Sequence, residues 1–150
     1  MAHTFTRLLT HVVFSTKDRA PMIGGDLKAR LLPYLGGIVR ELDGKALAVG
    51  GTANHVHLLA SLPPTLCVSD AMRILKANSS GWVHKTWPPR STFGWQTGYG
   101  AFSVSESNRD TVADYIASQE EHHQRSTFQD EFVALLKKHG IEYDERYIWD

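Results

Sequence analysis

The chain has one cysteine, Cys67, among its 150 residues. A single cysteine excludes an intramolecular disulfide and leaves no thiolate set for a cysteine-rich zinc site. No apolar run approaches the ~20 residues of a membrane span, so we expect no membrane association. The first residues, MAHT, lack the charged stretch followed by an apolar core that a secretory signal requires. These absences predict a protein of the cytoplasm.

The formal net charge is zero, because 16 Lys and Arg balance 16 Asp and Glu. The two signs are nevertheless separated along the chain. Residues 1–90 hold 11 basic against 5 acidic residues, and residues 91–150 hold 5 against 11. A basic N-terminal part can hold a polyanion such as a nucleic acid. Association of the two oppositely charged parts, or no consequence at all, is the alternative interpretation.

The length and a hydrophobic content of 42% favour one soluble globular domain over residues 1–150. Apolar periodicity predicts the element order β-α-β-β-α-β, which is that of a ferredoxin-like α+β fold with helices on one face of an antiparallel sheet. The predicted elements are strands within 5–15, 46–49, 54–61 and 98–105, a helix from Asp26 to Leu42, and a helix that begins at an N-cap on Ser69. Pro33 should kink the first helix or mark a late start.

The third predicted strand carries the motif His55-Val56-His57. Side chains two apart on a strand share a face, and their Cα atoms lie about 6.5–7 Å apart. Val56 and Leu58 should therefore point into the core under the helices, while His55 and His57 point to the opposite face. Two imidazoles at that separation can converge on one divalent metal. Alone, the motif is more often structural than metal-binding.

A third helix, capped by Ser107 and Asn108, is predicted to cover this open face. Its apolar stripe contains Tyr115 and Gln119, which are neighbours at i and i+4, and continues to His122 and His123. Taken one at a time, these residues suggest a packed tyrosine, a surface amide and two solvent-exposed histidines. A last helix, with a capping-box-like Ser126-x-x-Gln129, should end at Gly140. The aromatic tail beyond it should dock on the protein.

The second helix presents Arg73, Lys76 and Lys85 on its exposed face. A solvated helix face is one interpretation. Contact with a phosphate backbone is the other, since such positioning contacts need only cations and polar groups.

Combined, His55, His57 and Gln119 offer two imidazoles and a neutral oxygen. With a substrate phosphate completing the coordination, such a set suits Mg²⁺ or Mn²⁺ better than a closed zinc site. Tyr115 is then placed to attack the phosphorus. A phenol has a pKa of about 10, so the attack needs activation, which a metal supplies by polarising the phosphoryl oxygens.

The sequence resembles the IS200/IS605-type single-tyrosine transposases of the HUH superfamily, and among them it is similar to the REP-associated tyrosine transposases. The matching segments are 8–16 (LLTHVVFST), 54–59 (NHVHLL), 98–105 (GYGAFSVS), 115–119 (YIASQ) and 140–144 (GIEYD). One departure is Asn54, where many relatives have Asp, so that a charge is lost beside the first histidine.

The resemblance implies cleavage and rejoining of single-stranded DNA, with hairpins at transposon ends, through a 5′-phosphotyrosine and a divalent metal. It assigns His55, His57 and Gln119 as ligands and Tyr115 as nucleophile. It also implies a homodimer with a shared sheet, in which the tyrosine helix can serve the partner's histidines. Three alternatives stay open: a domesticated relative acting on repetitive palindromes, a non-catalytic nucleic-acid-binding domain, and a phosphodiesterase that uses water.

Overall fold

A computed structural model of the chain describes residues 3–149. Four antiparallel strands form one sheet in the order β2-β3-β1-β4. The strands are β1 (Leu9–Ser15), β2 (Lys45–Gly51), β3 (His55–Ser61) and β4 (Gly100–Val104). This order, together with the helices between the strands, confirms the predicted ferredoxin-like α+β fold. Among these residues, no helix has the length and apolarity needed to cross a membrane.

The α-helices are α1 (Gly25–Glu41), α2 (Val68–Thr86), α3 (Arg109–Ala117), α4 (Gln119–His122) and α5 (Phe128–Lys138). The two longest, α1 and α2, cover one face of the sheet. Val56, Leu58 and Ala60 of β3 share one buried cluster with leucines of α1 and with Met72 and Leu75 of α2. The predicted orientation of β3 is therefore confirmed, and the two histidines lie on the other face.

The second face is covered by α3 and α5. Val13 of β1 and Phe102 of β4 pack with Phe128 and Phe132 of α5. Ile116 of α3 packs nearby in a separate buried cluster with residues of β1 and β3. The sheet centre is thus buried on both sides, and polar groups between β3 and these helices are shielded from water.

Several predicted helix ends are wrong. Helix α1 begins at Gly25 and runs without interruption through Pro33, so there is no late start. Cys67, and not Ser69, is the N-cap of α2. At α5 the cap is Thr127, whose Oγ1 accepts a hydrogen bond from the Asp130 N–H at 3.1 Å. Sequence patterns locate helices better than their first residues, because caps depend on local backbone geometry.

The predicted third helix is broken into two. Ser118, with φ −104° and ψ 25°, separates α3 from α4. In the tail, the docking prediction is confirmed for Trp149, whose ring lies 6.0 Å from that of Phe132 and 5.2 Å from the Arg19 guanidinium. It is wrong for Tyr147, which is 67% exposed.

Candidate metal and nucleophile site

His55 and His57 lie side by side on the covered face of β3. Both are fully buried, and their ring centroids are 5.1 Å apart. In the sheet, His57 is flanked by Val13 of β1 and Gly50 of β2. The motif has therefore placed two imidazoles in a sheltered position at the centre of the sheet, where their hydrogen-bond partners must come from the protein.

The orientation of the His55 ring is fixed from behind by the turn between β2 and β3. His55 Nδ1 lies 2.8 Å from Asn54 Oδ1 and 2.9 Å from Thr52 Oγ1. Because an amide oxygen only accepts, Nδ1–H donates to Asn54, which directs Nε2 into the site. Asn54 thus provides the hydrogen bond that an aspartate would provide, without its charge.

Gln119 meets the histidines from the other side. Its side chain is buried, and its Oε1 lies 3.1 Å from His55 Nε2. The interpretation of Gln119 as a surface amide is therefore wrong, and the prediction that it shares a site with the histidine pair agrees with this geometry. Tyr115, one turn earlier, is half-buried, and its ring lies 5.7 Å from that of His57.

Three further side chains were not predicted to belong to the cluster, and Glu131 and His123 are two of them. Glu131 of α5 is buried, and its Oε1 lies 2.8 Å from His57 Nε2 and 3.4 Å from His55 Nε2. His123, at the end of α4, has its Nε2 3.1 Å from the same oxygen. The expectation that His123 is solvent-exposed is wrong, because its side chain is only 11% exposed.

One sequence signal could have revealed Glu131. It follows Phe128 by three positions and immediately precedes Phe132, so it belongs to the apolar stripe of α5. A lone carboxylate on such a stripe is buried against something that compensates it. No comparable signal marks His123, since its position depends on the helix break at Ser118.

His11 of β1 is the third unpredicted member. It lies on the same sheet face as His57, and its Nε2 is 2.8 Å from His57 Nδ1. Burial, reinforced by the neighbouring His57, lowers the pKa of His11 to about 3. A neutral His11 can accept a hydrogen bond from Nδ1–H of His57, and such a bond would fix the tautomer and ring orientation of His57.

Tyr115 and Glu131 are directly hydrogen-bonded, with the tyrosine hydroxyl donating to Oε2. Burial raises the pKa of the Tyr115 phenol, and the adjacent Glu131 carboxylate raises it further. Burial opposes ionisation of Glu131 as well, but its contacts with His55, His57 and Tyr115 hold the pKa of the carboxyl below its ordinary value. The ground state is therefore a neutral phenol beside a carboxylate.

The donor set fits a divalent cation. Ligand atoms of His55, His57, His123 and Glu131 all lie within 4.8 Å of one another, and the Gln119 oxygen adjoins them. Burial lowers the pKa of His57, although contact with Glu131 opposes the effect, and a neutral imidazole is the form that binds metals. Tyr115 and Glu131 both line a cavity of about 450 Å³, which offers space for a substrate beside them.

Residues 4–119 match the family described as Transposase IS200 like. The chain belongs to the IS200-like transposase family. The match includes the His55-Val56-His57 motif, Tyr115 and Gln119, and it confirms the resemblance inferred from the motifs. Transposases are enzymes that cleave DNA. Helix α5 lies beyond the matched residues, as does His123.

Individual relatives agree with this assignment. The chain is 29% identical over 128 residues to the transposase for insertion sequence element IS200 of Salmonella typhimurium, covering 79% of this chain and 81% of the relative. It is 26% identical over 114 residues to the ISDra2 transposase TnpA of Deinococcus radiodurans, covering 73% and 81%.

Two solved structures share the fold. A protein from Deinococcus radiodurans R1 assigned as a transposase superposes with a TM-score of 0.64 and 22% identity, over 79% of this chain and 95% of its own. A REP-associated tyrosine transposase bound to a REP hairpin superposes with a TM-score of 0.58 and 13% identity, over 82% and 73%. The architecture is therefore that of tyrosine transposases.

The three basic residues predicted to contact DNA lie away from the histidine cluster of this transposase, on α2 and behind the sheet. Arg73 and Lys85 are exposed. Lys76 is not, so its predicted exposure is wrong: its Nζ donates to the carbonyl oxygens of Gln96, Thr97 and Gly98 at 2.9, 3.1 and 2.6 Å. Lys76 holds the loop before β4 against α2. DNA contact by these residues stays a prediction.

Gly50 lets the tyrosine helix approach the sheet, and we expect Gly50→Ala to impair DNA cleavage. A Cβ at this position would lie 2.2 Å from the carbonyl oxygen of Ile116, so α3 must move and carry Tyr115 with it. Since a shift of ~1 Å can cost 10²-fold in rate, we expect cleavage to fall at least about 100-fold. Gly81→Ala on α2, where a Cβ meets nothing within 4 Å, is the matched control. A wild-type cleavage rate for Gly50→Ala would contradict this role.

Proposed function

We propose that this transposase cleaves and rejoins single-stranded DNA through a covalent 5′-phosphotyrosine on Tyr115, as one catalytic domain over residues 1–150. The observation that carries the proposal is the position of the Tyr115 hydroxyl. It contacts Glu131, which contacts His57, so nucleophile and candidate metal ligands are directly connected within one chain. A tyrosine present only for packing needs no such connection.

The chemistry assigned to these residues is an in-line phosphoryl transfer. The Tyr115 oxygen forms a bond to phosphorus while the bond from phosphorus to the 3′ oxygen of the preceding nucleotide breaks. The phenolic proton passes to Glu131 Oε2, which already accepts it as a hydrogen bond, and the departing 3′ oxygen takes a proton from solvent. His55, His57 and Gln119 would hold a divalent cation, Mg²⁺ or Mn²⁺, which would supply polarisation of the phosphoryl oxygens and compensation of the charge that develops on them.

Rejoining uses the same groups in reverse. A 3′ hydroxyl attacks the phosphotyrosine and loses its proton to solvent, the bond between phosphorus and the Tyr115 oxygen breaks, and the phenol recovers its proton from Glu131. The phosphodiester bond energy is conserved in the covalent product, so no external energy source is needed. Glu131 therefore serves as proton acceptor in cleavage and as proton donor in joining.

The proposed substrate is single-stranded DNA with hairpins at the transposon ends. It is supported by family membership and by the structural neighbour that was solved with a REP hairpin. The same neighbour favours a second candidate, a domesticated relative that applies this chemistry to repetitive genomic palindromes. In both cases Arg73 and Lys85 are proposed to contact the phosphate backbone from α2, with Lys76 holding the adjacent loop.

A homodimer with a sheet shared between subunits remains the proposed assembly by analogy with the family. The site described above draws His55, His57, Gln119 and Tyr115 from one chain. This supports a tyrosine helix that acts in cis in the described state, and exchange with a partner subunit is not required to bring the nucleophile to the histidines.

The decisive experiment looks for the covalent intermediate. The protein is incubated with Mn²⁺ and end-labelled single-stranded DNA from the flanks of its own gene, denatured, and resolved by electrophoresis. We expect a denaturation-resistant adduct that disappears after metal removal with EDTA and returns when Mn²⁺ is restored. Mapping by mass spectrometry should place the nucleotide on Tyr115.

The other outcomes distinguish the alternatives. Cleavage without any adduct would contradict the tyrosine mechanism and favour a phosphodiesterase that uses water. Hairpin binding without cleavage, at any divalent metal tested, would favour a non-catalytic DNA-binding domain. Cleavage restricted to dispersed genomic palindromes would favour the domesticated relative.

A further inference from the structure

We propose that α4 and α5 complete the metal site with His123 and Glu131, and that the resulting donor set makes the site prefer Mn²⁺ to Mg²⁺. The inference rests on the proposed function, whose ligands are His55, His57 and Gln119, and adds two further ligands from a part of the chain outside the family match, which ends at residue 119.

The geometry of Glu131 is the first support. Its Oε1 lies 2.8 Å from His57 Nε2, 3.1 Å from His123 Nε2 and 3.4 Å from His55 Nε2. Three imidazole nitrogens thus converge on one carboxylate oxygen. Within residues 3–149 the ionic partners of Glu131 are all histidines, so no Lys or Arg neutralises this buried carboxylate. A cation among the imidazoles provides that compensation.

The second support is the position of His123. Its Nε2 lies 3.1 Å from Gln119 Oε1 as well as from Glu131 Oε1, and its ring centroid is 4.5 Å from that of His55. The opposite nitrogen, Nδ1, lies 2.7 Å from the carbonyl oxygen of Ser126 and donates to it. That hydrogen bond fixes the tautomer in which Nε2 carries a lone pair toward the cluster.

The third support is that packing contacts fix the position of α5 against the sheet. The Phe128 ring stacks on His55 at 4.6 Å, and Phe132 packs against Gly100, where a Cβ would lie 2.9 Å from the phenylalanine ring. The Glu131 carboxylate is therefore presented by a rigid helix and not by a mobile loop. A ligand held in this way costs little reorganisation when the cation binds.

The donor set decides between Mg²⁺ and Mn²⁺. Two imidazoles and an amide oxygen are compatible with Mg²⁺, which otherwise takes oxygen ligands and retains water. Three imidazoles and a carboxylate are a set for first-row transition metals, because imidazole nitrogen suits them better than it suits Mg²⁺. Mn²⁺, which also accepts carboxylate and phosphate oxygens, fits both the protein donors and a DNA substrate.

Direct metal binding tests the inference without reference to activity. Chelator-treated protein is titrated with Mn²⁺ and with Mg²⁺ by isothermal calorimetry, and bound Mn²⁺ is examined by pulsed electron paramagnetic resonance. We expect Mn²⁺ to bind at least about tenfold more tightly than Mg²⁺. We also expect nitrogen couplings from three imidazoles, one of which disappears in the variant His123→Gln.

Matched variants separate ligands from bystanders. Glu131→Gln and His123→Gln should each weaken Mn²⁺ binding by at least about tenfold, since even partners outside the coordination shell contribute roughly 10–100-fold. Asp130→Asn and His139→Gln, exposed neighbours on and next to α5, should bind Mn²⁺ like wild type. Circular dichroism confirms that each variant is folded.

Two results would overturn the inference. Equal affinity for Mg²⁺ and Mn²⁺ would contradict the preference, and couplings from only two imidazoles in the wild type would exclude His123. In either case a wild-type DNA adduct in the presence of Mg²⁺ would leave the proposed function intact, whereas absence of the adduct with every metal would contradict the proposed function itself.

Discussion

We expect the Tyr115→Phe variant to form no covalent adduct with single-stranded DNA, and its cleavage rate to fall at least about 10³-fold, as when other enzymes lose a nucleophile. The substitution removes one oxygen and keeps the ring, whose centroid lies 5.7 Å from that of the His57 ring and 6.3 Å from that of the His11 ring. The measurement is adduct formation over time under single-turnover conditions.

Hairpin affinity provides the internal reference for this experiment. It should be unchanged in Tyr115→Phe, because the hydroxyl contacts Glu131 and not the exposed basic residues of α2. Tyr143→Phe is the matched control, since its ring packs in the neighbouring cluster under α5. An adduct that survives in Tyr115→Phe would contradict the assignment and direct attention to Tyr99, Tyr143 and Tyr147.

The sheet and the histidine face were predictable from sequence because their signals are local. Alternation along β3 separates His55 and His57 from Val56 and Leu58 within a few residues, and strand pairing does not change that separation. Tyr115 and Gln119 were predictable for a similar reason: a spacing of four on a helix makes them neighbours. These two local patterns supplied four members of the cluster: His55, His57, Tyr115 and Gln119.

The three remaining members depend on contacts between distant segments. His123 reaches Gln119 and Glu131 only because the helix ends at Ala117 and restarts after Ser118. An uninterrupted helix would carry His123 onward along the same stripe, and nothing in the residue types around Ser118 predicts the break. The position of α5 likewise follows from its packing on β1 and β4.

Close approach of the covering helices requires two glycines whose role the sequence alone does not reveal. Gly50 admits the backbone of α3, and Gly100 admits the Phe132 ring of α5. Both lie in strands, where glycine is usually unfavourable. Their positions make sense only once the second face of the sheet is known to be covered, since β-carbons there would hold Tyr115 and Glu131 away from the histidines.

Glu131 contacts both the candidate metal ligands and the proposed nucleophile. One carboxylate oxygen contacts His55, His57 and His123, and the other accepts the Tyr115 hydroxyl. A change on the ligand side is therefore felt by the nucleophile. Under the proposed DNA contact by α2, binding of DNA and its cleavage should be separable by mutation, because the basic residues of α2 lie behind the sheet. Every group that touches Glu131 lies in front of it.

That separation leads to the second large expected effect. We expect His57→Ala to abolish cleavage and adduct formation while hairpin affinity stays within a few-fold of wild type. The substitution removes the imidazole between His11 and Glu131, and with it one candidate ligand and a contact to the carboxylate that accepts from Tyr115. Adduct formation and equilibrium hairpin binding are measured on the same preparation.

A buried histidine can also be structural, so the experiment needs a variant that fills the space. His57→Gln retains a polar side chain between His11 and Glu131 but is a poor substitute for an imidazole ligand, and it should be folded and equally inactive. His84→Ala, on α2 and away from the cluster, is the matched control and should cleave like wild type. Loss of hairpin binding together with cleavage in both His57 variants would argue that His57 maintains the fold. Retained binding with absent cleavage would instead show that His57 contributes to the reaction. The surface that holds the hairpin would then be intact, whereas the connection from His57 through Glu131 to Tyr115 would be broken.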